Sequence, residues 1–214
     1  MGQLRGGIVP VTAFQQNCTI LWDDADKNGV VVDPGGDVDR ILSAIEQAGV
    51  TVTQIWLTHG HMDHAGGAAE LAEKLGSIPI EGPDRRDDFL LQGLEDQGRA
   101  YGFAARNVTP QRWLIEGDHV SFGEHRFDVL HCPGHTPGHV VYINHPAKFA
   151  LVGDVLFQGS VGRTDFPYGD HAALISAIKD KLLPLGDEFQ FLCGHGPGST
   201  IGAERQRNPF LQDD

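Results

Sequence analysis

His59, His61, Asp63 and His64 put three imidazoles and a carboxylate within six consecutive residues, directly after the apolar run Ile55-Trp56-Leu57. Imidazole nitrogen and carboxylate oxygen together select borderline divalent ions such as zinc, iron(II) or manganese, whereas calcium and magnesium sites prefer oxygen alone. The apolar run reads as a buried strand, and Gly60, Gly66 and Gly67 suit a tight loop that turns side chains back on one point. His59 and His61 can then face one ion while Asp63 and His64 face another. An isolated histidine is more often a surface or packed residue than a ligand, but four candidates in one loop reverse those odds.

Further candidates follow at the ends of later strand-like runs. His135 and His139 lie in Cys132-Pro133-Gly134-His135-Thr136-Pro137-Gly138-His139, Asp154 ends Leu151-Val152-Gly153-Asp154, and His195 ends Leu192-Cys193-Gly194-His195. Seven ligands are enough for two ions. His139 stands as a structural candidate inside its motif, whereas His119, His125, His131, His145 and His171 lie outside the motifs and read as ordinary polar residues. No Gly-x-Ser-x-Gly nucleophile elbow is present to compete.

The H-x-H-x-D-H motif, the later lone His, the Asp and the final His, in that chain order, resemble the metallo-β-lactamase superfamily nearly end to end. Within it, Gly159 to Pro167 and Glu204 to Leu211 look like the short bacterial glyoxalase II-type hydrolases. The resemblance implies that His59, His61 and His135 hold one metal, that Asp63, His64 and His195 hold a second, and that Asp154 bridges both. It places Asp33 behind the metal loop as a hydrogen-bonding support. Arg163 matches a basic residue that contacts glutathione, where a guanidinium can grip a carboxylate, with an internal pair to Asp165 or Asp170 as the alternative.

The implied cofactors are two divalent ions, zinc first, with iron(II) or manganese also acceptable. The implied reaction is hydrolysis of a thioester, S-lactoylglutathione to glutathione and D-lactate, by a metal-bridging hydroxide acidified to near neutrality. Asp63 is the catalytic residue, ligating the second ion and accepting a hydrogen bond from the nucleophile, while a metal stabilises the oxyanion. A thiolate, with a parent pKa of about 8.5, leaves without a general acid. Persulfide dioxygenases carry a segment like Gly162 to Phe166 and use one iron, which His59, His135 and Asp154 could hold; Gly194-His195-Gly196-Pro197 and two intact ligand sets favour the hydrolase. A lactamase reading is weaker, since those sites commonly use a Cys where this chain has Asp154. A metal-stabilised binding protein without turnover is disfavoured because no ligand looks degraded.

The elements that must position these groups are legible in outline. Strands are expected near Gly7 to Phe14, Cys18 to Trp22, Val30 to Asp33, Thr53 to Leu57, His125 to His131, Val140 to Ile143, Phe149 to Val152 and Phe189 to Leu192. Val38, Ile41, Leu42 and Ile45 form a helical stripe with Asp37 as cap and Gly49 as stop; Ala68, Leu71, Ala72 and Leu75 form a second, and Leu174, Ile175, Ile178 and Leu182 a third before Pro184. This alternation suits an α/β fold, a four-layer αβ/βα sandwich of two mixed sheets flanked by helices, with the ligand loops at one edge. From Glu81 to Asp118, five arginines interleave with Phe89, Leu90, Leu91, Leu94, Tyr101 and Phe103, which suits either a lid or a helix pair with a buried apolar face.

The 214 residues, 40% of them apolar, fit one domain spanning 1–214. A net charge of -13 argues against nucleic acid, where a basic face supplies most of the affinity. Neither a signal-like amino terminus nor a membrane-length apolar run is visible, so a cytoplasmic monomer or small homo-oligomer acting on a small thioester is expected. Longer glyoxalase II enzymes add a carboxy-terminal helical domain with further glutathione contacts, and the end of this sequence at Asp214 without one leads to the expectation of weak glutathione binding or preference for a different thioester. Cys18, Cys132 and Cys193 read as small buried residues outside any disulfide framework.

Overall fold

Val30, Val31 and Val32 alternate between two apolar cores, and that alternation organises the molecule. Strand side chains point to opposite faces with a period of two. In the computed structural model, which describes residues 2–212, Val31 joins one core while Val30 and Val32 join another. Ile55 and Trp56 divide in the same way. Val140 and Tyr142 then face the second core from its other side, while Val141 and Ile143 enter a third. Three stacked cores require four layers, helix, sheet, sheet, helix, as the sequence pattern predicts.

The first sheet has the order β1-β2-β3-β4-β5, built from β1 (Leu4–Val11), β2 (Gln16–Asp23), β3 (Asn28–Val32), β4 (Thr51–Trp56) and β5 (Ile80–Glu81). It is antiparallel through β3 and parallel beyond. The second has the order β13-β12-β9-β8-β7-β6, from β6 (His119–Phe122), β7 (His125–His131), β8 (Val140–Asn144), β9 (Phe149–Gly153), β12 (Gln190–Cys193) and β13 (Ser199–Thr200). A short ribbon pairs β10 (Leu156–Phe157) with β11 (Ser160–Val161). Helices α1 (Val38–Ala48) and α3 (Ala68–Lys74) cover the first sheet through Ile41, Ile45 and Leu71. Helices α6 (His171–Ala177) and α7 (Ile201–Arg207) cover the second through Leu174 and Ile201.

This topology brings four strand exits to one edge. β7 and β9 are each antiparallel to β8, so they run the same way, and β12 is parallel to β9. The exit of β4 is pinned to them from the other sheet, where the Tyr142 hydroxyl donates to the Leu57 carbonyl at 2.6 Å and Val140 N–H donates to the Thr58 carbonyl at 2.8 Å.

Several local expectations change. Asp37 stands at the start of α1 with a left-handed φ of 48° and makes no side-chain cap; its carboxylate instead accepts the Thr12 N–H at 2.7 Å, tying α1 to the end of β1. Gly49 does stop the helix, at φ 64°. The third stripe breaks at Ala177 into a wide π-type turn, Ile178–Leu182, and a 3-10 turn, Leu183–Leu185, because Pro184 cannot continue an α-helix. Glu81 to Asp118 holds α4 (Asp88–Leu91) and α5 (Leu94–Tyr101), with Leu90, Leu91 and Leu94 buried and Phe89 and Tyr101 exposed, which matches the helix-pair reading. His125, read as an ordinary polar residue, is buried and 2.9 Å from Asp23. All three cysteines are buried and free. No helix among the described residues is long and apolar enough to cross a membrane.

Trp56 is fully buried between the sheets, with ring centroids of Phe127 and Tyr142 at 5.2 and 5.3 Å. Trp56→Ala is expected to cost about 3–5 kcal/mol in urea unfolding; a loss below about 1 kcal/mol would mean that the central core does not carry the sandwich.

Candidate metal centre

The loop after β4 delivers His59 and His61, then turns into the one-turn helix α2 (Met62–Ala65), which presents Asp63 and His64. The loops after β7, β9 and β12 deliver His135, Asp154 and His195. His61 Nδ1 lies 3.1 Å from His59 Nε2 and 2.9 Å from His135 Nε2. His195 Nε2 lies 3.2 Å from Asp63 Oδ2, and His64 Nε2 lies 3.9 Å from that oxygen. Asp154 sits between the groups, with Oδ1 3.3 Å from His64 Nε2 and Oδ2 3.6 Å from both His135 Nε2 and His195 Nε2. The structure thus brings the seven candidates together: His59-His61-His135 and Asp63-His64-His195 each converge, Asp33-His59-His64 forms a third close group, and Asp154 lies in reach of the first two.

Outward hydrogen bonds assign the tautomers. His135 Nδ1 donates to the Arg163 carbonyl at 2.8 Å, His195 Nδ1 to the Phe14 carbonyl at 3.1 Å, and His64 Nδ1 to Asp33 Oδ2 at 2.8 Å. The Thr58 hydroxyl donates to Asp33 Oδ2 at 2.6 Å, so it accepts from His59 Nδ1 at 3.0 Å. Each of these rings therefore turns its Nε2 inward. Asp33 also accepts the Thr58 N–H at 2.7 Å. It lies close to His59 and His64, but its oxygens are already engaged by donors, which makes it a buttress of the loop.

Charge divides the two sets: burial lowers the imidazoles of the first, whereas Asp63 and Asp154 outweigh burial and raise His195 in the second. Burial, then repulsion from neighbouring imidazoles, holds His59 well below the ordinary range and His61 down to about 3; burial also lowers His135. Burial works against protonating His64, but Asp154 and Asp63 outweigh it and raise this residue. Burial would raise Asp154, but His64, His135 and His195 pull it down. His64 Nε2 and Asp154 Oδ1 are buried with no hydrogen-bond partner among the described residues. Imidazole nitrogens and carboxylate oxygens around a shared point, buried from water, fit a cation. The final loop leaves no room beside them: a Cβ on Gly194 would lie 2.1 Å from Asp154 Oδ1.

His139 is a support in this arrangement. Its Nε2 accepts the Asp154 N–H at 3.1 Å and its ring stacks on His59 at 4.6 Å. The centre opens into a cleft of about 710 Å³ walled by Phe14, Tyr101, Phe157, Phe166 and Tyr168. Arg163 is the one cationic side chain among the described residues lining it. Its guanidinium makes two 2.7 Å bonds to Asp165 and lies over the Phe166 ring. Tyr168, which sequence reasoning passed over, places its hydroxyl 2.9 Å from His61 Nε2. Burial pushes its phenol up to about 12. Nothing but its closeness to Arg163 in the chain marked it.

A four-layer sandwich with histidine and aspartate groups suited to a metal ion at one edge defines a metal-binding α/β class. The sequence profile of the metallo-beta-lactamase superfamily matches residues 11–195, and the chain belongs to that superfamily. It is 47% identical over 206 residues to hydroxyacylglutathione hydrolase GloC of Haemophilus influenzae, covering 95% of this chain and 96% of that protein. Its structure is similar to that of the BLEG-1 B3 metallo-beta-lactamase, with a TM-score of 0.89 and 35% identity over 98% of this chain and 100% of that one. It is also similar to TTHA1623 in a di-iron-bound form, with a TM-score of 0.86 and 37% identity over 96% of this chain and 100% of that one.

Tyr168→Phe removes the outward partner of His61 and is expected to weaken zinc binding about tenfold in competition with a chromogenic chelator. Unchanged affinity would show that the phenol does not orient the ring.

Proposed function

We propose that this chain is a binuclear metal-dependent hydrolase that cleaves a thioester, S-lactoylglutathione in the first instance, to glutathione and D-lactate. The observation that carries this reading is the pair of ligand sets sharing Asp154: His59, His61 and His135 would hold one ion, and Asp63, His64 and His195 the other. The identity to a protein named as a hydroxyacylglutathione hydrolase supports it. Zinc is the first choice of metal, with iron(II) or manganese accepted by the same donors. Residues 1–214 act as one catalytic domain in this reading, a cytoplasmic monomer or small homo-oligomer without nucleic-acid or membrane partners.

A bound pair of divalent cations supplies a water acidic enough to serve as nucleophile and an electrophile for the carbonyl oxygen. The side chains do the rest. Asp63 reaches the cleft and accepts a hydrogen bond from the nucleophile, fixing its direction toward the substrate carbonyl. Asp33, Thr58 and Tyr168 hold the imidazoles in register. Asp63 and Asp154 are the only carboxyl groups among the described residues lining the cleft. Burial opposes their ionisation, but the imidazoles outweigh it and lower both. Neither is placed to protonate a leaving group, which suits a thiolate better than an amine. Arg163 would bind a glutathione carboxylate by joining or displacing Asp165.

The test is elemental analysis of the purified protein with assays of the same sample on S-lactoylglutathione, glutathione persulfide and a β-lactam. About two metals per chain and release of glutathione from the thioester are expected, with Asp63→Ala losing about 10²-fold or more in kcat. One iron per chain with dioxygen uptake on the persulfide, or turnover of the β-lactam alone, would overturn the reading.

A further inference from the structure

Asp87 is fully buried, belongs to no ligand motif and lies in the Glu81 to Asp118 stretch. Its carboxylate accepts three hydrogen bonds. Gly60 N–H and the Thr136 hydroxyl donate to Oδ2 at 2.9 and 2.7 Å, and Gly138 N–H donates to Oδ1 at 2.6 Å. Gly60 separates His59 from His61, Thr136 follows His135, and Gly138 precedes the His139 that stacks on His59. One side chain therefore joins the loop leaving the first sheet to the loop leaving the second. The residues adjoining Gly60 and Thr136 include all three imidazoles of one ligand set. None of Asp63, His64 or His195 adjoins a residue bonded to Asp87.

Its placement is fixed from behind. Asp84 caps the 3-10 turn Arg85–Asp87 by accepting the Arg86 N–H at 3.0 Å, and the Asp84 N–H donates to the Gly138 carbonyl at 3.0 Å. Both loops press directly on this turn, and the Gly60 loop also on α4. A Cβ on Gly138 would lie 2.6 Å from the Asp84 carbonyl, and one on Gly60 would lie 2.8 Å from Leu90 Cβ. Burial raises the Asp87 carboxyl to about 6 against the pull of its three donors, so the carboxylate is the form present at neutral pH. A carboxylate offers enough lone pairs for three donors, whereas an amide of the same shape must turn its own N–H groups toward one of them.

We propose that Asp87 is the positioning residue of the His59-His61-His135 set, holding two of these imidazoles against the third across the two sheets. The affinity of that set, and not of the Asp63-His64-His195 set, then depends on it. The inference rests on the two-ion reading for its full readout.

Zinc alone, titrated in competition with a chelator into the metal-free full chain, tests this. In Asp87→Asn, one zinc equivalent is expected to weaken about 10–100-fold while the other holds and the melting temperature stays within a few degrees. In a His195→Ala background, which disables the other set, Asp87→Asn should weaken the equivalent that remains. Equal weakening of both equivalents with a fallen melting temperature would reduce Asp87 to a packing residue, and unchanged affinities would also overturn the proposal. Should Asp87→Asn fail to fold, Thr136→Val, which removes one donor of three, decides the matter: it must weaken the same equivalent by a smaller factor. A wild-type chain that binds a single zinc would count against the two-ion reading instead, and the comparison of Asp87→Asn with wild type would still show whether that one site needs the carboxylate.

Discussion

Acceptor atoms aimed at other acceptor atoms are the constraint on which this structure depends. Inward-facing nitrogens of His59, His61 and His135 crowd within about hydrogen-bond distance, yet the outward bonds of these rings leave no proton for most of those contacts. Buried carboxylate oxygens of Asp154 face the same space. Left to itself, the group of three imidazoles is repulsive and poorly solvated. A bound cation would turn those repulsions into shared coordination, and the outer partners Thr58, Asp33, Tyr168 and two backbone carbonyls hold the rings in the orientation it would need.

Holding repelling groups together demands a scaffold that is stiff for other reasons. The sandwich supplies it by closing three apolar cores around strands whose two faces are both buried, so the exits of β4, β7, β9 and β12 cannot drift independently. Local strain is accepted where it serves the site. Asp33 follows β3 at a left-handed φ of 53°, a conformation that aspartate tolerates better than most side chains, and this turn aims its carboxylate at Thr58 and His64. Polar groups thus sit at the ends of strands while apolar ones fill their middles.

Much of this was legible in the residues. The runs that form β7, β8 and β9 carry enough alternation to be read within about a residue of their bounds, and the stripe of α1 with Gly49 behind it does the same. Two-residue strands such as β5, β10, β11 and β13 carry no period and were invisible. Helix α7 follows a capping Thr200, whose hydroxyl accepts the Ala203 N–H, but it is only seven residues long and lacks a full stripe. In the site, clustered histidines announced themselves by spacing. Tyr168 and Asp87 did not, because each reaches its partners across 27 or more residues of chain through contacts that exist only once both sheets are packed. Arg163 shows the reverse: its internal pairing was one of the two readings open in the sequence, and it engages Asp165 through two bonds while lining the cleft.

Anomalous diffraction from crystals of the zinc-loaded protein tests the two-set arrangement most directly. Two peaks are expected, one among His59, His61, His135 and Asp154, the other among Asp63, His64, His195 and Asp154. A single peak, or a second peak bound by other residues, would contradict it.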